Sequence, residues 1–108
     1  MKMIRLLLLS ILISPAIAYA GQIYGTLTID NRPVGRGVKV AIVVGTTQTA
    51  TETDDYGAYK VFVPKGKYTM KVYYGGKELL YGIFSYDDPV RYDFDVVRQA
   101  DGYYLKRR

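Results

Sequence analysis

From Gly21 onward the chain alternates apolar and polar residues with a period of two, interrupted by short clusters of Gly, Pro, Asp and Asn. That is the pattern of half-buried β-strands joined by tight turns. Ile23, Gly25, Leu27 and Ile29 fall on one face of a first strand, with Tyr24, Thr26 and Thr28 on the other. Asp30-Asn31-Arg32-Pro33 reads as a turn. Val38, Val40, Ile42 and Val44 line one face of the next strand, with Lys39 facing away. Thr46 to Thr53 is polar and Thr-rich, an edge strand or a long loop. After the Asp54-Asp55-Tyr56-Gly57 turn, Tyr59, Val61 and Val63 point inward while Lys60 and Phe62 point out. Pro64-Lys65-Gly66 is a tight connection. Tyr68, Met70, Val72 and Tyr74 then alternate with Lys67, Thr69, Lys71 and Tyr73. Gly75-Gly76 is a hairpin turn.

Leu79 to Phe84 is apolar on both faces, so the pattern does not orient it. Val90, Tyr92, Phe94 and Val96 alternate with Arg91, Asp93, Asp95 and Val97, and a last short strand is expected over Tyr103 to Lys106. No window after residue 20 has helical periodicity. Seven or eight short antiparallel strands with turns of this kind predict an all-β domain over residues 21–108. Two sheets sharing one core, a β-sandwich, is the leading architecture, with a small closed barrel as the alternative.

The first twenty residues read differently. Lys2 and Arg5 precede a short apolar run, Leu6 to Ile13, which Ser14 and Pro15 interrupt. Ala18-Tyr19-Ala20 then offers a small-x-small cleavage site. This is the layout of a secretory signal peptide cleaved after Ala20. The run is too short for a spanning helix, which needs about 20 apolar residues, so no transmembrane anchor is expected. The expected location is the periplasm or outside the cell. Loss of Lys2 and Arg5 with the leader takes the net charge from +5 to +3. With the signs mixed along the chain, that gives no argument for nucleic acid.

Three stretches in order resemble the carboxypeptidase regulatory-like domain, a transthyretin-like (prealbumin-like) sandwich of broadly immunoglobulin-like build. They are Gly25 to Val34 running into Gly37-Val-Lys-Val40, then Thr53-Asp-Asp-Tyr-Gly-Ala-Tyr59, then Val63-Pro-Lys-Gly-Lys-Tyr-Thr-Met-Lys-Val72. The resemblance implies a seven-stranded, non-catalytic module that supports folding, contacts or adhesion. The same residues have local physical roles. Asp54 can accept N–H bonds across its turn and Gly57 supplies a positive φ. Tyr59 re-enters the core, Pro64 and Gly66 shape the following turn, and Tyr68 is an inward aromatic. The one catalytic relative in this group, hydroxyisourate hydrolase, depends on histidines and a particular C-terminal tetrapeptide. This chain has no His and ends Leu105-Lys-Arg-Arg108, so that activity does not carry over.

Composition narrows the chemistry further. With no His and no Cys, the chain can build neither a His/Cys zinc site, nor a Cys nucleophile, nor a Ser-His-Asp triad. Ser85 is the single Ser after the leader. Asp54-Asp55 and Asp87-Asp88 are acidic pairs that could pool oxygen ligands for calcium, though Asp is also an ordinary turn residue. Asp93 and Asp95, two apart on one strand face, read as a solvated face rather than a catalytic pair. Lys39 faces away from the apolar side, against an isopeptide crosslink. Lys106-Arg107-Arg108 reads as a solvated basic tail. No cofactor is expected.

Tyrosine is the compositional excess, at 12 residues. Tyr24, Phe62 and Tyr73 point away from the core and form the expected interaction surface. The expected function is a non-catalytic exported module in protein–protein interaction, self-association or envelope structure, through this face or the Thr46–Thr53 edge. The alternative is a carbohydrate-binding module that uses the same aromatics.

Overall fold

The computed structural model describes residues 21–108, so the expected signal peptide and its Ala18/Ala20 cleavage site lie outside the described residues. The described chain is all-β. Its strands are β1 (Gln22–Ile29), β2 (Arg32–Pro33), β3 (Lys39–Val44), β4 (Thr47–Glu52), β5 (Ala58–Phe62), β6 (Gly66–Tyr74), β7 (Lys77–Ser85), β8 (Val90–Arg91), β9 (Phe94–Gln99) and β10 (Gly102–Arg107). They form two sheets packed face to face as a sandwich. One has four strands in the order β4-β3-β6-β7. The other has six, built around β1, with β2 and β5 on one flank, β8 and β9 on the other, and β10 beyond β9.

Two expectations need correction here. The strands number ten among the described residues, because β2 and β8 are two-residue segments too short to show an alternation. Nor are all pairings antiparallel: β1 runs parallel to both β8 and β9, with Ile23 opposite Val90 and Leu27 opposite Phe94. An in/out alternation reads the same in either direction, so it fixes faces and not strand sense.

The alternation places the core correctly along most of the chain. Ile23, Leu27, Val40, Ile42, Met70, Val72, Ile83 and Phe94 are essentially inaccessible to solvent, and Tyr59, Val61, Val63, Leu79, Tyr92, Val96 and Leu105 complete the cluster. Each such side chain contributes about 1.5–3 kcal/mol by burial, which lets a chain without disulfides hold two sheets together. β7, which the pattern left unoriented, turns Leu79, Tyr81, Ile83 and Ser85 inward and leaves Leu80 and Phe84 exposed. Val44 departs from expectation. It closes the two-residue hairpin at Gly45–Thr46, where the chain leaves the sheet, and is 49 % exposed.

The turns carry the dihedrals their residues favour. Asp30 and Asn31 both sit at positive φ, 53° and 64°, and fold β2 back on β1, the geometry that matches strand twist in two-residue hairpins. Gly25 has a different role. A Cβ there would lie 1.9 Å from the Tyr92 carbonyl oxygen, so only glycine lets β1 approach the bend between β8 and β9. Across this approach the Tyr92 N–H donates to the Tyr24 carbonyl at 2.8 Å.

Candidate binding surface

The three outward aromatics expected to act together do not share a face. Tyr24 on β1 and Phe62 on β5 are diagonal neighbours on the outside of the six-stranded sheet, since Tyr24 pairs with Lys60 and Gln22 with Phe62. Tyr73 is on β6, in the four-stranded sheet. There the Lys39 ammonium sits 4.9 Å from the Tyr73 ring centroid. Each residue does point away from the core, but the two sheets turn their outer faces in opposite directions. A single Tyr24/Phe62/Tyr73 surface is therefore corrected to two.

On the outside of the six-stranded sheet the strands set polar residues in cross-strand rows. Lys60, Tyr24 and Arg91 form one row, on β5, β1 and β8. The Arg91 guanidinium lies 5.9 Å from the Tyr24 ring centroid and its Nε donates to Asp93 at 2.7 Å. Asp93 also accepts from the Thr26 N–H at 2.8 Å and the Thr26 hydroxyl at 3.1 Å. Burial pushes the Asp93 carboxyl up, but the bonds from Thr26 and Arg91, with the Arg91 charge, outweigh it and hold the group below its usual range. Asp95 accepts from the Thr28 hydroxyl and pairs with Arg108 at 3.3 Å. Asp93 and Asp95 are thus half-buried in a Thr/Arg lattice instead of standing on a solvated face.

Arg107 and Arg108 of the basic tail, though exposed, join that lattice, a second correction. The Arg107 side chain donates to the Arg91 carbonyl at 3.0 Å and lies 4.2 Å from the Tyr92 ring centroid. The Arg108 N–H donates to the Asp93 carbonyl at 2.9 Å, and its side chain donates to the Thr26 hydroxyl at 2.7 Å. A residue written as a tail in sequence becomes a clasp once β10 pairs with β9 beside it.

An open groove of about 630 Å³ begins beside the Lys60–Tyr24–Arg91 row and reaches the end of β4, where Thr51, Glu52 and Asp54 line it. Sequence reasoning found Tyr24 but missed Lys60, Arg91 and Glu52 as its neighbours, because their closeness depends on which strands pair with β1.

Of the motif residues, Asp54 and Tyr59 border this groove, and the others brace loops elsewhere. The Asp54 carboxylate accepts from the N–H groups of Tyr56 at 2.9 Å and Ala58 at 3.0 Å, and Gly57 sits at φ 74°. The Tyr59 hydroxyl donates to the Tyr92 carbonyl at 2.6 Å. Burial pushes that phenol far above its usual range, and the nearby Asp93 charge adds to the effect. The Tyr68 hydroxyl donates to the Pro64 carbonyl at 2.7 Å, closing the loop that ends at Gly66. Three of the four residues of the acidic pairs are engaged as well. Asp55 pairs with Arg36 at 2.7 Å, which holds its carboxyl below the usual range, and Asp87 pairs with Lys65 at 3.5 Å. Among the described residues no three His, Cys, Asp or Glu side chains cluster as a metal site, and no helix is long and apolar enough to cross a membrane.

The edges of the four-stranded sheet differ. Antiparallel residues alternate between facing the neighbour strand and facing away. The closing hairpin pair Val44–Thr47 points its bonds between β3 and β4, as do Ile42–Thr49 and Val40–Thr51. The N–H and C=O groups of Gln48, Ala50 and Glu52 therefore face outward, with no hydrogen-bond partner among the described residues. At the opposite edge, the Phe84 N–H of β7 donates to the Tyr92 hydroxyl at 3.0 Å, while the outward groups of Glu78, Leu80 and Gly82 have no partner among the described residues. Compared with known protein families and with curated protein sequences, the chain matches none.

Proposed function

We propose that this chain is an exported, non-catalytic β-sandwich module of the transthyretin-like kind that works by receiving a strand from another protein on the free edge of β4. The observation that carries the reading is the character of that edge. Thr47–Glu52 is six residues long and exposed along nearly its whole length, and it contains no Pro, no Lys and no bulge, the devices that normally guard an edge against pairing. Its Thr-rich sequence suits strand geometry. A partner strand would gain main-chain bonds from Gln48, Ala50 and Glu52 and selectivity from side-chain contacts on alternate residues. Export rests on the layout of residues 1–20, and the absence of catalysis on the lack of His and Cys.

The test is site-specific photocrosslinking from Gln48 in the native host, with Leu80 on the far edge as control. One dominant adduct is expected from Gln48. Its mass separates a second copy of this chain from a different protein. Ala50→Pro removes one outward N–H while leaving the bonds to β3 in place, so it should abolish the adduct while a thermal melt shows the fold retained. An adduct that survives Ala50→Pro, or equal labelling from Leu80, overturns the reading.

A further inference from the structure

We propose that the groove beside Tyr24 is a binding site for an uncharged oligosaccharide. Its lining combines an aromatic ring with polar groups of both signs. Lys60 and Arg91 bring donors, Glu52 and Asp54 bring acceptors, and Gln22 brings both. Asp93 already matches the Arg91 charge, so Lys60 faces Glu52 and Asp54 with no excess of positive charge to draw an anion. A polyhydroxylated ligand with no net charge matches it, because each hydroxyl can donate to a carboxylate and accept from a guanidinium or ammonium.

The strand geometry keeps Lys60 and Glu52 apart and available, whereas one Asp54 oxygen is taken by the Tyr56 and Ala58 N–H groups. Lys60 and Glu52 make no ion pair among the described residues. Arg91 is instead fixed by Asp93 at 2.7 Å, which sets its direction without covering it: the side chain remains 57 % exposed. Tyr24 lies between Lys60 and Arg91 in the row, its ring lining the groove, and offers a flat apolar surface for the C–H face of a sugar. Phe62, 52 % exposed, lies one diagonal step along β5, roughly 7–8 Å away in such a pairing. A second ring at that separation suits a chain of sugars more than one monosaccharide. The volume of about 630 Å³ is within the usual range for small-ligand sites.

This proposal stands on side chains, chiefly of β1, β5 and β8, and shares only the end of β4 at Thr51 and Glu52 with the proposed strand-docking edge, so Tyr24→Ala tests it without touching that edge. The experiment is isothermal titration of the purified chain with chitotetraose, cellotetraose, maltotetraose and mannotetraose, with heparin as an anionic counter-probe. At least one neutral tetrasaccharide should bind, and Tyr fluorescence should change with it. Tyr24→Ala should weaken that binding roughly tenfold, and Lys60→Met should weaken it less. Tyr104→Ser, on the same sheet but outside the groove, should leave it unchanged. Thermal melts of each variant establish that the fold survives. Unchanged glycan binding in Ala50→Pro separates this site from the β4 edge. Three results overturn the proposal: no tetrasaccharide binds, binding persists at full strength in both Tyr24→Ala and Lys60→Met, or heparin alone binds and does so in a salt-dependent way.

Discussion

The two long sides of the sandwich are finished in opposite ways. On one side, where β7 and β10 run along the rims, side chains close the gap between the sheets. Tyr92 reaches from the six-stranded sheet to the Phe84 N–H, Tyr74 and Tyr103 meet edge to face with centroids 5.1 Å apart, and Arg107 covers the Tyr92 ring. On the other side, along β4 and β5, the rim groups are left open, with the Tyr24 groove beside them. Both β4 and β10 are six-residue strands paired on one side only. Length and pairing therefore do not distinguish the edges. The Tyr92 hydroxyl from the six-stranded sheet covers the Phe84 end of β7, whereas the outward groups of Glu78, Leu80 and Gly82, like those of β4, have no partner among the described residues.

The largest expected effect breaks the frame on which both sides hang. Gly25→Ala places a Cβ against the Tyr92 carbonyl, forcing β1 away from β8 and β9. A loss of more than about 3 kcal/mol is expected, visible as a large fall in melting temperature or in soluble yield. A normal melt would mean that β1 can shift without cost.

The next contrast compares the sides directly. Leu105→Ala on β10, where the side chain is 7 % exposed, should cost about 2–5 kcal/mol in denaturant unfolding. Thr49→Ala on β4 should stay within about 0.5 kcal/mol. Equal losses would remove the distinction.

Tyr92→Phe keeps the ring and deletes the hydroxyl that meets Phe84. It should cost about 1 kcal/mol and speed hydrogen exchange at the Phe84 amide, while amides facing outward on β4 exchange fast already. Protection at Phe84 unchanged by the substitution would show that something other than Tyr92 closes that edge.

The smallest effect is a pH dependence. Asp93 is held below its usual range in the folded chain, so its contribution is complete above the unfolded value of about 3.9. It is lost as pH falls through the lower folded value. Asp55 works in the same sense through Arg36. Melting temperature should drop on the acid side, and Asp93→Asn should flatten that slope without abolishing it. An unchanged slope would mean that the Thr26–Asp93–Arg91 lattice is not coupled to folding.

Much of the fold was legible in the chain, and for a local reason. Alternation along Ile23–Leu27, Tyr59–Val63, Tyr68–Tyr74 and Tyr92–Val96 states which face each residue takes, and Gly/Asx clusters state where the chain turns. The binding surface was less legible. Tyr24 and Phe62 were recognisable as outward aromatics, yet nothing local sets Arg91 beside Tyr24 or sends Tyr73 to the other sheet.

The sequence by itself determined an all-β chain, most of its inward residues, most of its turns and the polar, Thr-rich character of Thr46–Thr53. Only the tertiary structure decided the parallel run of β8 and β9 along β1, the division of strands between two sheets, and the folding of Arg107 and Arg108 back into a clasp. The reason is physical. Alternation and turn propensity act between neighbours in the chain, whereas strand sense and sheet membership come from pairings between residues far apart, such as Thr26 and Asp93, separated by 67 positions.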